Sequence, residues 1–308
     1  MTFAEAPSQL GGYDILEKIA DGGMSRVYLG RLPAGGNRFV ALKVLREDLA
    51  GDPAYVAMFR DEAKLMSQLA HPSMVQHYEA GEDQGLHYIA MELLTGESLL
   101  SVWESFQARG AKIPYAVSAW IGARVAEGLH HAHELEDETG APEHVVHRDV
   151  NPSNVFLTFD GRIKVIDFGL ARSETRLSRT EEGIVKGKLA YLSPEQVEGQ
   201  APDRRADVFA LGTTLWEITV DRRLFKQDTD VKTVRAIHAC DVPDPRTLAD
   251  DYPASLWTIL RRALAKDPRE RYATAAELGH DLDACASELG VAVTSTTVAQ
   301  MMSQDATP

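Results

Sequence analysis

The sequence predicts an α+β fold in two parts, a small antiparallel β-sheet with one main helix followed by a larger helical part. Three observations carry that expectation. Short alternating stretches broken by glycine pairs fill the N-terminal part of the chain. After Thr95-Gly96, apolar residues recur at three- and four-residue spacing. The length, 308 residues, suits two compact units or one large two-part unit, at roughly 100–200 residues per domain.

Taken in order, residues 1–12 read as a loose lead-in. Strands are expected at Tyr13–Ile19, Arg26–Arg31, Arg38–Leu45 and His87–Met91, with turns at Gly22-Gly23 and Gly35-Gly36. Between them, Val56, Phe59, Ala63, Met66 and Leu69 share one face of a helix over Pro53–Leu69. The boundary falls near Leu93–Gly96. Helices follow at Ser98–Gln107, Pro114–Glu136, Pro194–Glu198, Ala206–Val220, Asp230–Ala239, Pro253–Leu264 and Ala273–Leu289. Strand-like Val155–Thr158 and Ile163–Ile166 flank a turn at Asp160-Gly161. After Leu289 the chain loses charge and periodicity, and residues 288–308 are expected to form a tail or a short terminal helix.

Composition narrows the function classes. Hydrophobic residues are 44% and charged residues 25%, ordinary for a soluble globular chain and excluding wholesale disorder. No run of about 18 apolar residues occurs, so no membrane-spanning helix is expected. The N-terminus lacks the basic start and apolar stretch of a secretory signal. Two cysteines, Cys240 and Cys285, make no disulfide framework and fit a reduced, cytoplasmic setting. The net charge of −14 argues against nucleic acid or anionic lipid as a surface partner. It leaves room for one polyanion in a local cationic pocket.

Three runs carry chemistry. Ile19–Val27 reads IADGGMSRV, and the glycine pair Gly22-Gly23 allows amides to approach a phosphate closely. A plain hairpin turn would look the same. Val40-Ala41-Leu42-Lys43 places a lysine in an apolar setting, costly to bury unless it meets an anion. Glu62, on the expected helix, is a candidate partner, against the default of a surface glutamate. In His147-Arg148-Asp149-Val150-Asn151-Pro152-Ser153-Asn154, Asp149 can accept a hydroxyl proton and the Asn154 oxygen can ligate a hard cation. Lys164-Val165-Ile166-Asp167-Phe168-Gly169 ends a strand with a second carboxylate, so Asn154 and Asp167 together suit Mg²⁺ against phosphates.

These runs, in this order, resemble the protein kinase family, specifically the bacterial eukaryotic-like serine/threonine kinases. The resemblance covers roughly Tyr13 to Leu282. It continues through Ser193-Pro194-Glu195, the run from Asp207 to Gly212, and Lys266-Asp267-Pro268 leading to Arg271. It implies a bilobal protein-kinase-like fold, with an N-lobe over 13–94, a helical C-lobe over 95–287 and a cleft between them. The implied ligands are ATP and Mg²⁺, and the implied partner is a protein substrate with a Ser or Thr acceptor. Autophosphorylation and a homodimer are also implied.

By the same resemblance, Ile19, Ala20, Gly22 and Gly23 would lie in the loop over the phosphates. Lys43 would hold the α- and β-phosphates and pair with Glu62. Asp149 would orient the substrate hydroxyl and take its proton, and Asn154 and Asp167 would bind Mg²⁺. Met91 would guard the pocket behind adenine. Glu92 and Leu94 would offer backbone groups to the adenine edge, with Val27, Ala41 and Phe156 enclosing the ring. Glu195 and Arg271 would form a structural ion pair. Arg148 would await a phosphate on the activation segment, best placed at Thr180, with Glu181 and Glu182 as partial mimics.

Several positions depart from the family pattern. Ala20 and Ser25 replace the outer glycines of the phosphate loop. Asn151 stands where a lysine usually faces the γ-phosphate, and Gly187-Lys188 replaces the usual Gly-Thr. A cation about 4 Å from a phosphate oxygen is worth up to roughly 4 kcal/mol at an effective dielectric of ~20. Lys188 is therefore expected to supply the missing cation from the opposite side; the plainer alternative is an exposed lysine and a slow enzyme. The other readings are a pseudokinase-like nucleotide-binding scaffold, kept alive by Asn151, and a small-molecule phosphotransferase.

Overall fold

The structure is a computed structural model and describes residues 7–33, 36, 38–168, 188–290 and 292–305. The chain divides into two compact units, one of Met1–His71 with Val75–Thr95 and one of Pro72–Met74 with Gly96–Pro308. Among the described residues, no helix is long and apolar enough to cross a membrane.

The first unit is built on a six-stranded antiparallel sheet ordered β1-β2-β3-β4-β6-β5. Its strands are β1 (Gln9–Leu10), β2 (Tyr13–Asp21), β3 (Ser25–Leu32), β4 (Arg38–Leu45), β5 (His77–Asp83) and β6 (Leu86–Glu92). Strand β4 is a near-continuous apolar run because it is central, with six consecutive buried residues from Val40 to Leu45. After the short α1 (Glu47–Ala50), helix α2 (Pro53–Gln68) starts cleanly. Asp52 caps it by accepting from Ala54 N, and Pro53 supplies a preset φ at the first turn. Phe59, Ala63 and Met66 of α2 bury themselves with Leu45 and Ile89 of the sheet.

In the first unit, two strands lie outside the expected set. The lead-in is ordered at its end, since Gln9 and Leu10 pair with Asp14 and Tyr13 and Leu10 is fully buried. Two residues carry no period to read. Strand β5, HYEAGED, lacks apolar alternation because it forms the sheet edge, where charged residues are tolerated.

The second unit opens with β7 (Gly96–Ser98), which pairs with β8 (Val155–Thr158), itself paired with β9 (Ile163–Val165). Its helices are α3 (Leu99–Ala108), α4 (Tyr115–His133), α5 (Pro194–Val197), α6 (Arg205–Val220), α7 (Asp230–Ala239), α8 (Ala254–Ala263) and α9 (Ala275–Glu288). Helix α6 is buried from Ala206 to Val220, and α4 packs on both α6 and α9. The hydroxyls of Thr213 and Thr219 are satisfied inside α6 by donating to Phe209 O and Leu215 O.

The C-terminal stretch forms a docked helix, α10 (Ser295–Asp305), with Val298 and Met302 buried. It lies against α3 and over the β8–β9 turn. There Gly161 has φ +81° and a Cβ would fall 1.7 Å from Ser295 O, so the turn requires glycine on two counts.

Candidate active site

In the first unit, the antiparallel register sets Lys43 opposite Val27 on one side and Ile89 on the other, in the middle of the sheet. Lys43 is 6% exposed and Glu62 is 3% exposed, and Lys43 Nζ lies 2.5 Å from Glu62 Oε1. A buried ammonium without a counter-ion would cost several kcal/mol, which explains why strand and helix are tied at this point. Glu62 is thus a core group, and the default of a surface glutamate is excluded.

The Gly22-Gly23 segment closes the β2–β3 hairpin, with Gly22 N donating to Ser25 O at 2.9 Å. Gly22 is not left-handed, and a Cβ there would sit 3.0 Å from Ser25 O, so a side chain would require that carbonyl to shift by a few tenths of an ångström. Ala20 lies in β2 opposite Val27, a strand position that alanine adopts without strain. Ile19 is 48% exposed, Ala41 is buried, and Val27, Met91, Glu92 and Leu94 are half-buried. Glu92 N donates to Gln76 O at 2.8 Å, so that amide is already engaged.

In the second unit, one buried carboxylate organises the loop before β8. Asp207 sits in the first turn of α6, 1% exposed. It accepts from His147 N (2.8 Å), Arg148 N (2.9 Å) and His133 Nε2 (2.8 Å). Burial alone would push its pKa up; the His133 bond, the nearby imidazoles and the His147 amide outweigh that and hold it below the usual carboxylate range. With both amides pulled to one carboxylate, Arg148 takes φ +65° and the chain turns sharply into Asp149.

Asp149 is 7% exposed and surrounded by donors. Its Oδ1 accepts from Asn151 Nδ2 at 3.2 Å, and its Oδ2 accepts from Asn154 Nδ2 at 2.8 Å and from Lys188 Nζ at 2.7 Å. The same two amides donate to the Asp149 carbonyl, each at 2.8 Å. Asn151 Oδ1 accepts from Ser153 N and so caps the single turn Pro152–Asn154. Asn154 O accepts from Ile166 N at 2.9 Å, which joins this turn to the strand end that carries Asp167. Asp167 is exposed at φ +54°, and Phe168 returns to pack on His147 with ring centroids 4.5 Å apart. Burial lowers the His147 pKa, against the raising pull of Asp207, Asp149 and Asp167. Phe156, on β8, is half-buried.

The donor set of Asn154 and Asp167 is oxygen only, which suits a hard cation such as Mg²⁺. No cluster of three or more His, Cys, Asp or Glu that could hold a metal exists among the described residues. A cation here would therefore share its shell with ligand oxygens or water.

The protein kinase domain family matches residues 13–282. The chain belongs to the protein kinase family. The curated relatives include the tyrosine-protein kinase MasK of Myxococcus xanthus, 41% identical over 90% of this chain and 43% of its own length. The serine/threonine-protein kinase PknL of Mycobacterium tuberculosis is 36% identical over 91% of this chain and 67% of its own. The chain thus spans less than half of the length of the first. Among solved structures, the PknI kinase domain of M. tuberculosis aligns with a TM-score of 0.67 at 28% identity, covering 92% of this chain and all of that one. The bilobal protein-kinase-like fold follows.

Within this kinase domain, Glu195 and Arg271 form a bidentate pair at 2.8 and 2.7 Å, and Arg271 also donates to the carbonyls of Ala265, Arg205 and Lys266. Arg148 is half-buried, and its Nε has no hydrogen-bond partner among the described residues. Thr180, Glu181, Glu182 and Gly169 lie outside the described residues. Sequence reasoning missed the roles of Asp207 and His133. The available signal for Asp207 was an aspartate opening a helix that is apolar over most of its length; His133, beside His130 and His131 in α4, offered none.

Proposed function

We propose that this chain is a protein kinase that transfers the γ-phosphoryl group of ATP to serine or threonine hydroxyls of protein substrates, in the cytoplasm. The observation that carries the reading is Asp149, a buried carboxylate held in a cage of amide donors on a loop suspended from Asp207.

In this reading Lys43, fixed by Glu62, binds the α- and β-phosphates. Asn154 and Asp167 hold Mg²⁺, which supplies neutralisation of phosphate charge. Asp149 orients the acceptor hydroxyl. The acceptor oxygen bonds to the γ-phosphorus, the bond to the ADP oxygen breaks, and the hydroxyl proton passes to Asp149. Most of the acceleration would come from positioning and charge neutralisation, which explains why no covalent nucleophile is needed.

Of eight curated relatives that match the chain, seven, PknL and PrkC among them, are named serine/threonine or probable serine/threonine kinases, and MasK is named a tyrosine kinase. One experiment addresses both acceptor classes. Incubation with γ-labelled ATP, Mg²⁺ and a generic basic protein, then acid hydrolysis, should yield phosphoserine or phosphothreonine. Asp149→Asn should lower the rate by about a hundredfold or more. Phosphotyrosine alone would reassign the acceptor. Incorporation no higher than in Asp149→Asn would leave a nucleotide-binding scaffold.

A further inference from the structure

Lys188 opens a short turn, Lys188–Tyr191, whose far end is rigidly held. The Tyr191 hydroxyl donates to Glu217 Oε2 at 2.7 Å and accepts from Arg223 Nη1 at 2.6 Å. Glu217 is fully buried in α6, and its other oxygen accepts from Leu224 N at 2.9 Å. The backbone of Lys188 is therefore mounted close to a fixed point, while its side chain remains 36% exposed.

The ammonium reaches Asp149 Oδ2 at 2.7 Å, the oxygen that also accepts from Asn154. Two consequences follow. An acceptor hydroxyl that bonds to this oxygen must compete with Lys188 for it. A phosphoryl group passing to such a hydroxyl must also travel within a few ångströms of the ammonium. A terminal phosphoryl carries more charge than a carboxylate already supplied by two amides, so it attracts the ammonium more strongly.

We propose that Lys188 is an exchangeable catalytic cation. It rests on Asp149 before nucleotide binds and transfers to the γ-phosphoryl oxygens when ATP is present. Its departure opens Asp149 Oδ2 to the acceptor hydroxyl. Lys188 stays protonated throughout; the hydroxyl proton still goes to Asp149 and the leaving group is still ADP. The inference rests on the reading of Asp149 given above. Its distinctive content is dependence on the γ-phosphate, because ADP offers nothing for Lys188 to move to.

The test is amine acylation of the intact protein with a soluble acetylating reagent, read residue by residue by peptide mass spectrometry. With Mg²⁺ and a non-hydrolysable ATP analogue, acetylation of Lys188 should slow by about fivefold or more, as expected for a charge-assisted contact with phosphate. With Mg²⁺ and ADP it should not slow, whereas Lys43 should be protected by both. Equal Lys188 reactivity in the two nucleotide states overturns the proposal. In steady-state kinetics, Lys188→Ala should lower kcat by about a hundredfold, the usual cost of one transition-state contact, with KM for ATP within a few-fold. Lys188→Arg should recover part of that loss. Wild-type kcat in Lys188→Ala also overturns the proposal. If wild-type protein shows no transfer but retains the γ-dependent protection, the transfer reading fails and the exchange stands.

Discussion

The two lysine–carboxylate pairs of this molecule differ in what surrounds them. Lys43 and Glu62 join a central strand to its covering helix, with side chains 8% and 4% exposed. Lys188 and Asp149 join an anchored turn to the loop before β8, at 36% and 8%. The distances are similar, 2.5 and 2.7 Å, so geometry alone does not separate them. Burial does. Removing one partner from the first pair strands a charge in the core, whereas in the second water can reach the 36% exposed Lys188, and Asp149, though buried, keeps its bonds from Asn151 and Asn154. The first pair is a fixture, and the second is the one we propose to open when the γ-phosphate is bound.

The comparison can be broken or sharpened by substitution, beginning with the largest effect. Arg271→Met strands Glu195 and three backbone carbonyls, and should cost about 3–5 kcal/mol in urea unfolding. A cost that large in the second unit would show that burial, not location, makes a pair a fixture. Lys43→Met should cost about 3 kcal/mol by the same assay, because Glu62 loses its counter-ion in the core. Gly161→Ala supplies a charge-free contrast. The left-handed φ and the 1.7 Å approach to Ser295 O should lower stability by about 2 kcal/mol with no salt dependence.

Next comes pH. His147 has a folded pKa below its unfolded value because it is buried, so the unfolded chain binds the proton first as pH falls. Stability should be flat above about pH 6.5 and decline below it, by at most about 1.4 kcal/mol per pH unit from this group. His147→Gln should reduce the slope in thermal melts recorded between pH 7 and 5, leaving the part that belongs to His77 and His130, which burial lowers as well. The smallest effect belongs to Lys188→Ala, which should change stability by less than about 1 kcal/mol while changing turnover greatly. A stability loss equal to that of Lys43→Met would erase the distinction between the pairs.

The legible parts of the sequence were those where local pattern and burial agree. Strand β4 reads as VALKVL because both of its faces are covered, and Lys43 stands out in it for the same reason. The pairing with Glu62 was readable because a buried lysine demands an anion and the next helix offered one. Strand β5 was not legible, being a polar edge. Helix α10 buries only a narrow face, chiefly Val298 and Met302, too few residues to stand out as a period. Asp207 binds backbone amides 59 and 60 residues away, and no local pattern encodes such a contact. Lys188 was singled out from a departure in pattern, but its contact with Asp149 spans 39 residues and needed the fold to be seen.

The most direct test of a fixed and an exchangeable cation is a crystal structure with Mg²⁺ and a non-hydrolysable ATP analogue. Lys43 should still contact Glu62, and Lys188 Nζ should lie about 3 Å from a γ-phosphoryl oxygen, clear of Asp149 Oδ2. Lys188 still seated on Asp149 with the γ-phosphate in place, or turned to solvent, would contradict the account.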